Sequence, residues 1–69
     1  MKIILTTHAK HRMIERAISL RDIQDCIELQ DYTVTKENKV EAHKTINNRK
    51  LKVVYTKGKF IKILTVIET

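Results

Sequence analysis

The spacing of apolar residues follows a helical pattern in the first half of the chain and an extended pattern in the second. From residue 7 to about residue 16 or 17, apolar positions recur every three to four residues, which predicts an amphipathic helix capped by Thr6 or Thr7. Residues 19–22 then match a capping box, with Asp22 in place of the usual glutamate, and a second apolar stripe follows. The sequence therefore predicts two consecutive N-terminal helices, the second ending near Gln30.

From Tyr32 onwards, polar and apolar residues alternate and many side chains are β-branched, which predicts strands. The predicted strands cover residues 32–36, 40–46, 50–57 and 60–67. Their connections, residues 37–39, 47–49 and 57–59, contain Asn or Gly, which tolerate the positive φ of tight turns. The expected fold class is α+β, with two N-terminal helices packed on a three- to four-stranded antiparallel β-meander. Residues 1–5 fit either a short strand or a lead-in packed under the sheet.

The two faces of this predicted sheet differ in what covers them. We expect the helices to cover one face, which carries Leu51, Val53, Tyr55, Ile61, Ile63, Thr65 and Ile67. The opposite face still carries Val54, Phe60, Leu64 and Val66. An apolar surface on so small a protein predicts a homodimer or a bound partner.

Length and charge narrow the class of protein. The 69 residues suffice for one domain, residues 1–69, with a core close to the lower size limit. Fourteen Lys and Arg against eight Asp and Glu leave a formal charge of +6, which attracts polyanions. No stretch approaches the roughly 20 apolar residues of a membrane span, and the lone Cys26 cannot form an internal disulfide. We therefore expect a cytoplasmic protein, not bound to membranes, whose partner is RNA, DNA or an acidic protein.

Three side chains of the first predicted helix are spaced by four residues and share one stripe: His8, Arg12 and Arg16. Like charges at this spacing repel, so the stripe predicts that an anion such as phosphate binds there. The alternative is that Glu15 neutralises part of this face and the stripe is solvated surface.

Two strand residues complete the candidate catalytic set. Tyr55 could donate a hydrogen bond to a phosphate oxygen, and Thr65 could orient a side chain of the first helix. The alternative leaves Tyr55 as a half-buried strand aromatic and bonds Thr65 to a backbone carbonyl.

Basic residues also cluster in the C-terminal hairpins: Arg49, Lys50, Lys52, Lys57, Lys59 and Lys62. We predict that the first five of these contact nucleic-acid phosphates, the alternative for each lysine being a solvated surface. With only three aromatic residues, Tyr32, Tyr55 and Phe60, a sheet that stacks several bases is not expected.

Metal binding is weighed and not predicted. His8 and His11 have a chelating spacing and His43 is a further imidazole, but Cys26 lies on an apolar stripe and has no second cysteine. We therefore predict no metal and no cofactor.

Three motifs together carry a resemblance to a known family. They are T-x-H-A-x-x-R-M-x-x-R-x-I-S at residues 6–19, L-x-V-V-Y-T at residues 51–56 and I-L-T-V at residues 63–66. With them the chain resembles a small domain of unknown function allied to RelE/ParE-like and BrnT-like toxins. The resemblance covers nearly the whole chain and implies a RelE-like toxin superfold and an antitoxin partner. The family's polar signature falls on His8, Arg12, Arg16, Tyr55 and Thr65.

The resemblance implies a toxin-like RNA-binding protein that acts as a metal-independent endoribonuclease on mRNA, with the ribosome as a candidate setting. In such a reaction a ribose 2′-OH attacks the adjacent phosphate. His8 would then act as base or acid, Arg12 and Arg16 would stabilise the growing charge, and Tyr55 or Thr65 would position the phosphate. The alternative is a module that binds nucleic acid or protein without chemistry.

Overall fold

Two helices lie against one face of a five-stranded sheet in the computed structural model, which describes residues 2–69. The elements are β1 (Ile3–Leu5), α1 (Thr7–Arg16), α2 (Leu20–Glu28), β2 (Tyr32–Lys36), β3 (Lys39–Ile46), β4 (Arg49–Lys57) and β5 (Ile61–Glu68). Within this part of the chain, neither helix has the length and apolar character that a membrane crossing needs.

Both predicted helices are confirmed, and local side-chain bonds explain where they begin. The Thr6 hydroxyl accepts a hydrogen bond from the Ala9 N–H at 3.1 Å, which satisfies a free amide of the first turn of α1. Ser19 and Asp22 form the complete capping box of α2, with bonds of 3.1 and 3.0 Å. Between the helices, Ala17 ends α1 in the left-handed conformation, with φ 52° and ψ 46°. This single residue turns the chain from one helix into the next.

The sheet is mixed, so the expected three- to four-stranded antiparallel meander is wrong. Its strand order is β1-β5-β4-β3-β2, and β1 pairs parallel to β5 while the other pairs are antiparallel. Ile3 lies opposite Ile61 and Leu5 opposite Ile63. A three-residue strand is too short to show an alternating pattern, and its partner lies almost a whole chain length away. Local sequence therefore could not place it.

A bulge in β5 reverses the expected faces of its last residues. Val54 lies opposite Thr65 but Tyr55 lies opposite Ile63, so Leu64 is an extra residue in the ladder. A shift of one residue moves every following side chain to the other face. Val66 is consequently fully buried, and Thr65 and Ile67 lie on the face away from the helices. Our assignment of these three side chains is wrong for that reason.

The core lies between the helices and one face of the sheet. Its buried members are Ala9, Ile18, Ile23, Cys26, Ile27, Ala42, Leu51, Val53, Tyr55, Ile63 and Val66. Within residues 2–69 no helix covers the opposite face, which is called the open face below; it carries Tyr32, Glu41, His43, Lys50, Lys52, Val54 and Thr65. Ile14, an apolar residue of the amphipathic helix α1, is 78% exposed.

Replacing Ala17 by glycine should stabilise the protein, because a left-handed conformation costs an L-residue with a Cβ more than it costs glycine. We expect Ala17→Gly to raise the free energy of unfolding by about 0.5–1 kcal/mol in urea titrations. The exposed mid-helix Lys10 provides the control, since Lys10→Gly should lower the free energy of unfolding by about 1 kcal/mol. A loss of stability in Ala17→Gly would contradict the conformation described.

The stability of the fold should fall at alkaline pH because of Cys26. Burial, assisted by the charge of Asp22, raises the pKa of this thiol from 9.0 to about 11. The native state therefore holds the proton more tightly than the unfolded chain, so the stabilisation is complete below pH 9 and is lost as pH rises from 9 to 11. Between pH 8 and 11 wild type should lose on the order of 1–2 kcal/mol more than Cys26→Ala in urea titrations. Parallel pH profiles of the two proteins would contradict this role of Cys26. Burial also raises the pKa of Tyr55, but both proteins contain Tyr55, so its contribution cancels in the comparison.

Candidate nucleic-acid interface

The predicted stripe on α1 is present but partly neutralised. His8 and Arg16 are exposed and Arg12 is partly exposed. An Nη1 atom of Arg12 lies 3.8 Å from a carboxylate oxygen of Glu15, three residues further along the helix. The alternative interpretation, in which Glu15 offsets part of this charge, thus describes Arg12 correctly.

Two of the three stripe residues line a shallow groove between α1 and the end of β5. The groove has a volume of about 220 Å³ and is lined by Arg12, Arg16, Val66, Ile67 and Glu68. Because Glu68 lines the groove together with the two arginines, an anion that enters it would meet a carboxylate as well as two guanidinium groups. His8 is not among the lining residues.

Tyr55 and Thr65 do not join the stripe. Tyr55 is 2% exposed in the core, and burial raises its pKa. Thr65 lies on the open face, directly across from Val54. The five residues predicted to form one catalytic site therefore lie in three places: on α1, in the core and on the open face.

Arg49, predicted to contact phosphate, forms hydrogen bonds with other residues of the protein at its surface. Its Nε and Nη2 atoms donate to one carboxylate oxygen of Glu68 at 3.3 and 2.9 Å. Its Nη1 donates to the carbonyl oxygen of Ala17 at 3.3 Å, and Nη2 also donates to the carbonyl of Arg16. These carbonyls end α1, where a cation is favoured by the helix dipole. Arg49 thus ties the end of α1 to the end of the sheet.

Lys50 and Lys52 lie on the open face, as cations without a close acid. Neighbouring β4 residues alternate between faces, so these two lysines point the same way, about 7 Å apart along the strand. Lys62 of β5 lies opposite Thr56 on the same face. Within the described chain, no carboxylate comes within 4.0 Å of these three ammonium groups. Lys57 and Lys59 are exposed at the β4–β5 connection, at the other end of the sheet.

Half of the acidic residues lie on the two helices, away from this surface. Three of the eight lie on α2, namely Asp22, Asp25 and Glu28. Glu41 is the one acid that the described strands place on the open face, and it lies 3.9 Å from the ammonium of Lys36. The open face is therefore the strongly basic side of the molecule.

Sequence reasoning missed an aromatic pair on the open face. Tyr32 of β2 lies opposite His43 of β3, and their rings stack with centroids 4.4 Å apart and planes 8° from parallel. The Nε2 atom of His43 is buried without a hydrogen-bond partner, 3.6 Å from the Glu41 carboxylate. The predicted connection 37–39 is one residue too long and pairs Tyr32 with Lys44. A two-residue turn at Glu37 and Asn38 would have revealed the stack.

The fold and this surface define a class of protein: a small α+β domain whose mixed sheet is covered on one side and basic on the other. The chain belongs to the family described as a domain of unknown function, DUF4258, whose sequence model matches residues 5–68. No curated protein and no solved structure shows a significant match. The family description says nothing of RelE-, ParE- or BrnT-like toxins, so that part of the resemblance stays a prediction.

Removing the Arg49 guanidinium should destabilise the fold in a pH-dependent way. Its hydrogen bond lowers the pKa of Glu68, so the pair stabilises the native state above the ordinary carboxyl pKa of 4.5 and loses that contribution as pH falls through the lowered value. We expect Arg49→Met to melt below wild type at pH 7, with a smaller difference at pH 3. The neighbouring Lys50→Met is the control and should melt close to wild type at both pH values. A constant Arg49→Met difference across pH would argue against the ion pair.

Proposed function

We propose that this protein binds RNA through the open face of its sheet. The observation that carries the proposal is the set of lysines at positions 50, 52 and 62, which lie on an uncovered sheet face and, among the described residues, have no carboxylate within 4.0 Å. Such charges release counterions when they meet phosphates, which supplies affinity that does not depend on base sequence.

The geometry of the β-sheet supports a contact with an extended chain of nucleotides. Lys50 and Lys52 are fixed at one spacing by β4, which has neighbours on both sides and cannot bend freely. Their side chains, about 7 Å apart along the strand, can contact two different phosphates of one chain, which a single small anion cannot provide. A polyanion therefore suits this face better than a free phosphate ion does.

The finer parts of the sequence interpretation remain separate predictions. They are the relationship to toxins, an antitoxin partner, the homodimer and RNA cleavage by His8, Arg12 and Arg16. Cleavage is not part of the proposal, because Tyr55 and Thr65 lie away from the stripe.

Removing the two central lysines should weaken RNA binding and reduce its salt dependence. We expect Lys50→Gln/Lys52→Gln to lower affinity for a labelled single-stranded oligoribonucleotide, measured by fluorescence anisotropy from 50 to 300 mM KCl. Each phosphate contact contributes about 0.7 to the slope of log K against log salt, so this slope should fall by roughly 1.4.

The control removes the same charge from the helix side. Arg21 and Lys10 are exposed on α2 and α1, so Lys10→Gln/Arg21→Gln should change affinity and slope much less. Arg12→Gln/Arg16→Gln tests the α1 stripe in the same assay. Equal losses in all three proteins would mean that only net charge matters, and absence of binding by wild type would refute the proposal.

A further inference from the structure

The Tyr32–His43 pair is the most exposed aromatic feature of the protein, and the RNA-binding proposal does not use it. Tyr32 is 58% exposed, an unusual degree for an aromatic residue inside a strand. It lies on β2, the last strand of the sheet, and stacks on His43 of the neighbouring strand. One face of the phenol ring is therefore occupied by imidazole, and among residues 2–69 no further strand lies beside β2 to cover the other face.

The position of the Tyr32 ring is fixed by its neighbours on the sheet. Cross-strand register fixes Tyr32 opposite His43, and the Nε2 atom of His43 is buried beside the Glu41 carboxylate at 3.6 Å. His43 is much less exposed than Tyr32, its side chain having an exposed fraction of 20%. A flat, supported ring with one open face is a preorganised stacking platform, because little conformational entropy is lost when a second ring is added.

Lysines lie near the Tyr32–His43 pair on the open face. Lys52 is directly opposite His43 on the next strand, so it is two strands, or roughly 10 Å, from Tyr32. A concave site of about 150 Å³ lies at this end of the sheet, lined by Lys50, Tyr32, His43 and Thr45 of the open face together with Lys44 and Leu51 of the covered face and Thr69. Asp31 also lines this site, but its carboxylate accepts the Thr45 N–H at 3.0 Å and lies 3.7 Å from the ammonium of Lys44. The acid is thus already engaged, and the two lysines are not.

We infer that Tyr32 binds an unpaired nucleobase on its open ring face, extending the stack of His43 and Tyr32 by a third ring, while Lys50 and Lys52 hold the adjoining phosphates. This inference rests on the proposed RNA-binding function and specifies its ligand class as single-stranded nucleic acid. Paired bases are excluded because their faces are already stacked inside the duplex. A neutral protein segment that inserts an aromatic side chain would use the same ring, but it would gain nothing from the lysines.

Substitutions at Tyr32 separate the ring from the charges. We expect Tyr32→Leu, which keeps a strand-compatible apolar side chain, to weaken binding to the single-stranded oligoribonucleotide roughly 5- to 100-fold. The slope against salt should not change, because no charge is removed. Tyr32→Phe keeps the ring and should bind as wild type does. Binding to a duplex of the same sequence should be equal in all three proteins.

A spectroscopic signal tests the stack directly. The chain contains no tryptophan, so Tyr32→Trp introduces a single one at the platform. Its fluorescence should be quenched when single-stranded RNA or single-stranded DNA is added, since an unpaired base is common to both. Phe60→Trp is the matched control: Phe60 is 43% exposed at the other end of the sheet and should show little quenching.

The outcomes distinguish this inference from the proposed function. Wild-type affinity in Tyr32→Leu, or no quenching in Tyr32→Trp by either single strand, would overturn the stacking site while the lysine result could still stand. Quenching by the duplex as strong as that by single strands would also overturn it. Failure of wild type to bind any nucleic acid would instead refute the proposed function itself.

Discussion

The two helices can bury only one face of the sheet, and the rest of the structure depends on that constraint. In the part of the chain that the structure describes, 19 residues form α1 and α2, and both helices pack on the same face. The second face is left without a helix, which explains why β4 alternates between buried Leu51, Val53 and Tyr55 and the polar Lys50 and Lys52. The basic surface is therefore a consequence of the architecture as well as a candidate for function.

Features encoded within a few residues could be predicted from the sequence, and those that depend on distant pairing could not. The caps at Thr6 and Ser19 act on amides three residues away, so both helices are predictable. The bulge at Leu64 depends on how β5 meets β4, and no local pattern marks it. The residue types in the turns also gave a wrong expectation: Glu37 has a positive φ of 54°, whereas the φ of Gly58 is not positive. Glycine was thus not needed where it was expected.

The candidate site divides in the same way. Lys50 and Lys52 were predicted to bind phosphate from the clustering of basic residues in the C-terminal hairpins, and strand alternation places both on the open face. The bonds of Arg49 were not foreseen, because its partners, Glu68 and the carbonyls at the end of α1, lie 19 to 33 residues away. The Tyr32–His43 stack was missed because a single extra residue in the predicted turn changes which side chains are opposite. The candidate site was therefore mispredicted mainly because the pairing of the strands was wrong, and less because helices or strands were wrongly identified.

Net charge alone overstates what a polyanion can use. Of the fourteen basic side chains, Arg49 holds α1 to β5, Arg12 lies beside Glu15, and Lys44 is bonded to the carbonyl of Leu29. Lys50, Lys52 and Lys62 of the open face have no such partner in the described chain, so their charge is not already neutralised. A phosphate chain and a ring face are features that every nucleotide carries. A surface that offers lysines beside one supported aromatic ring is thus suited to an unpaired strand of any sequence.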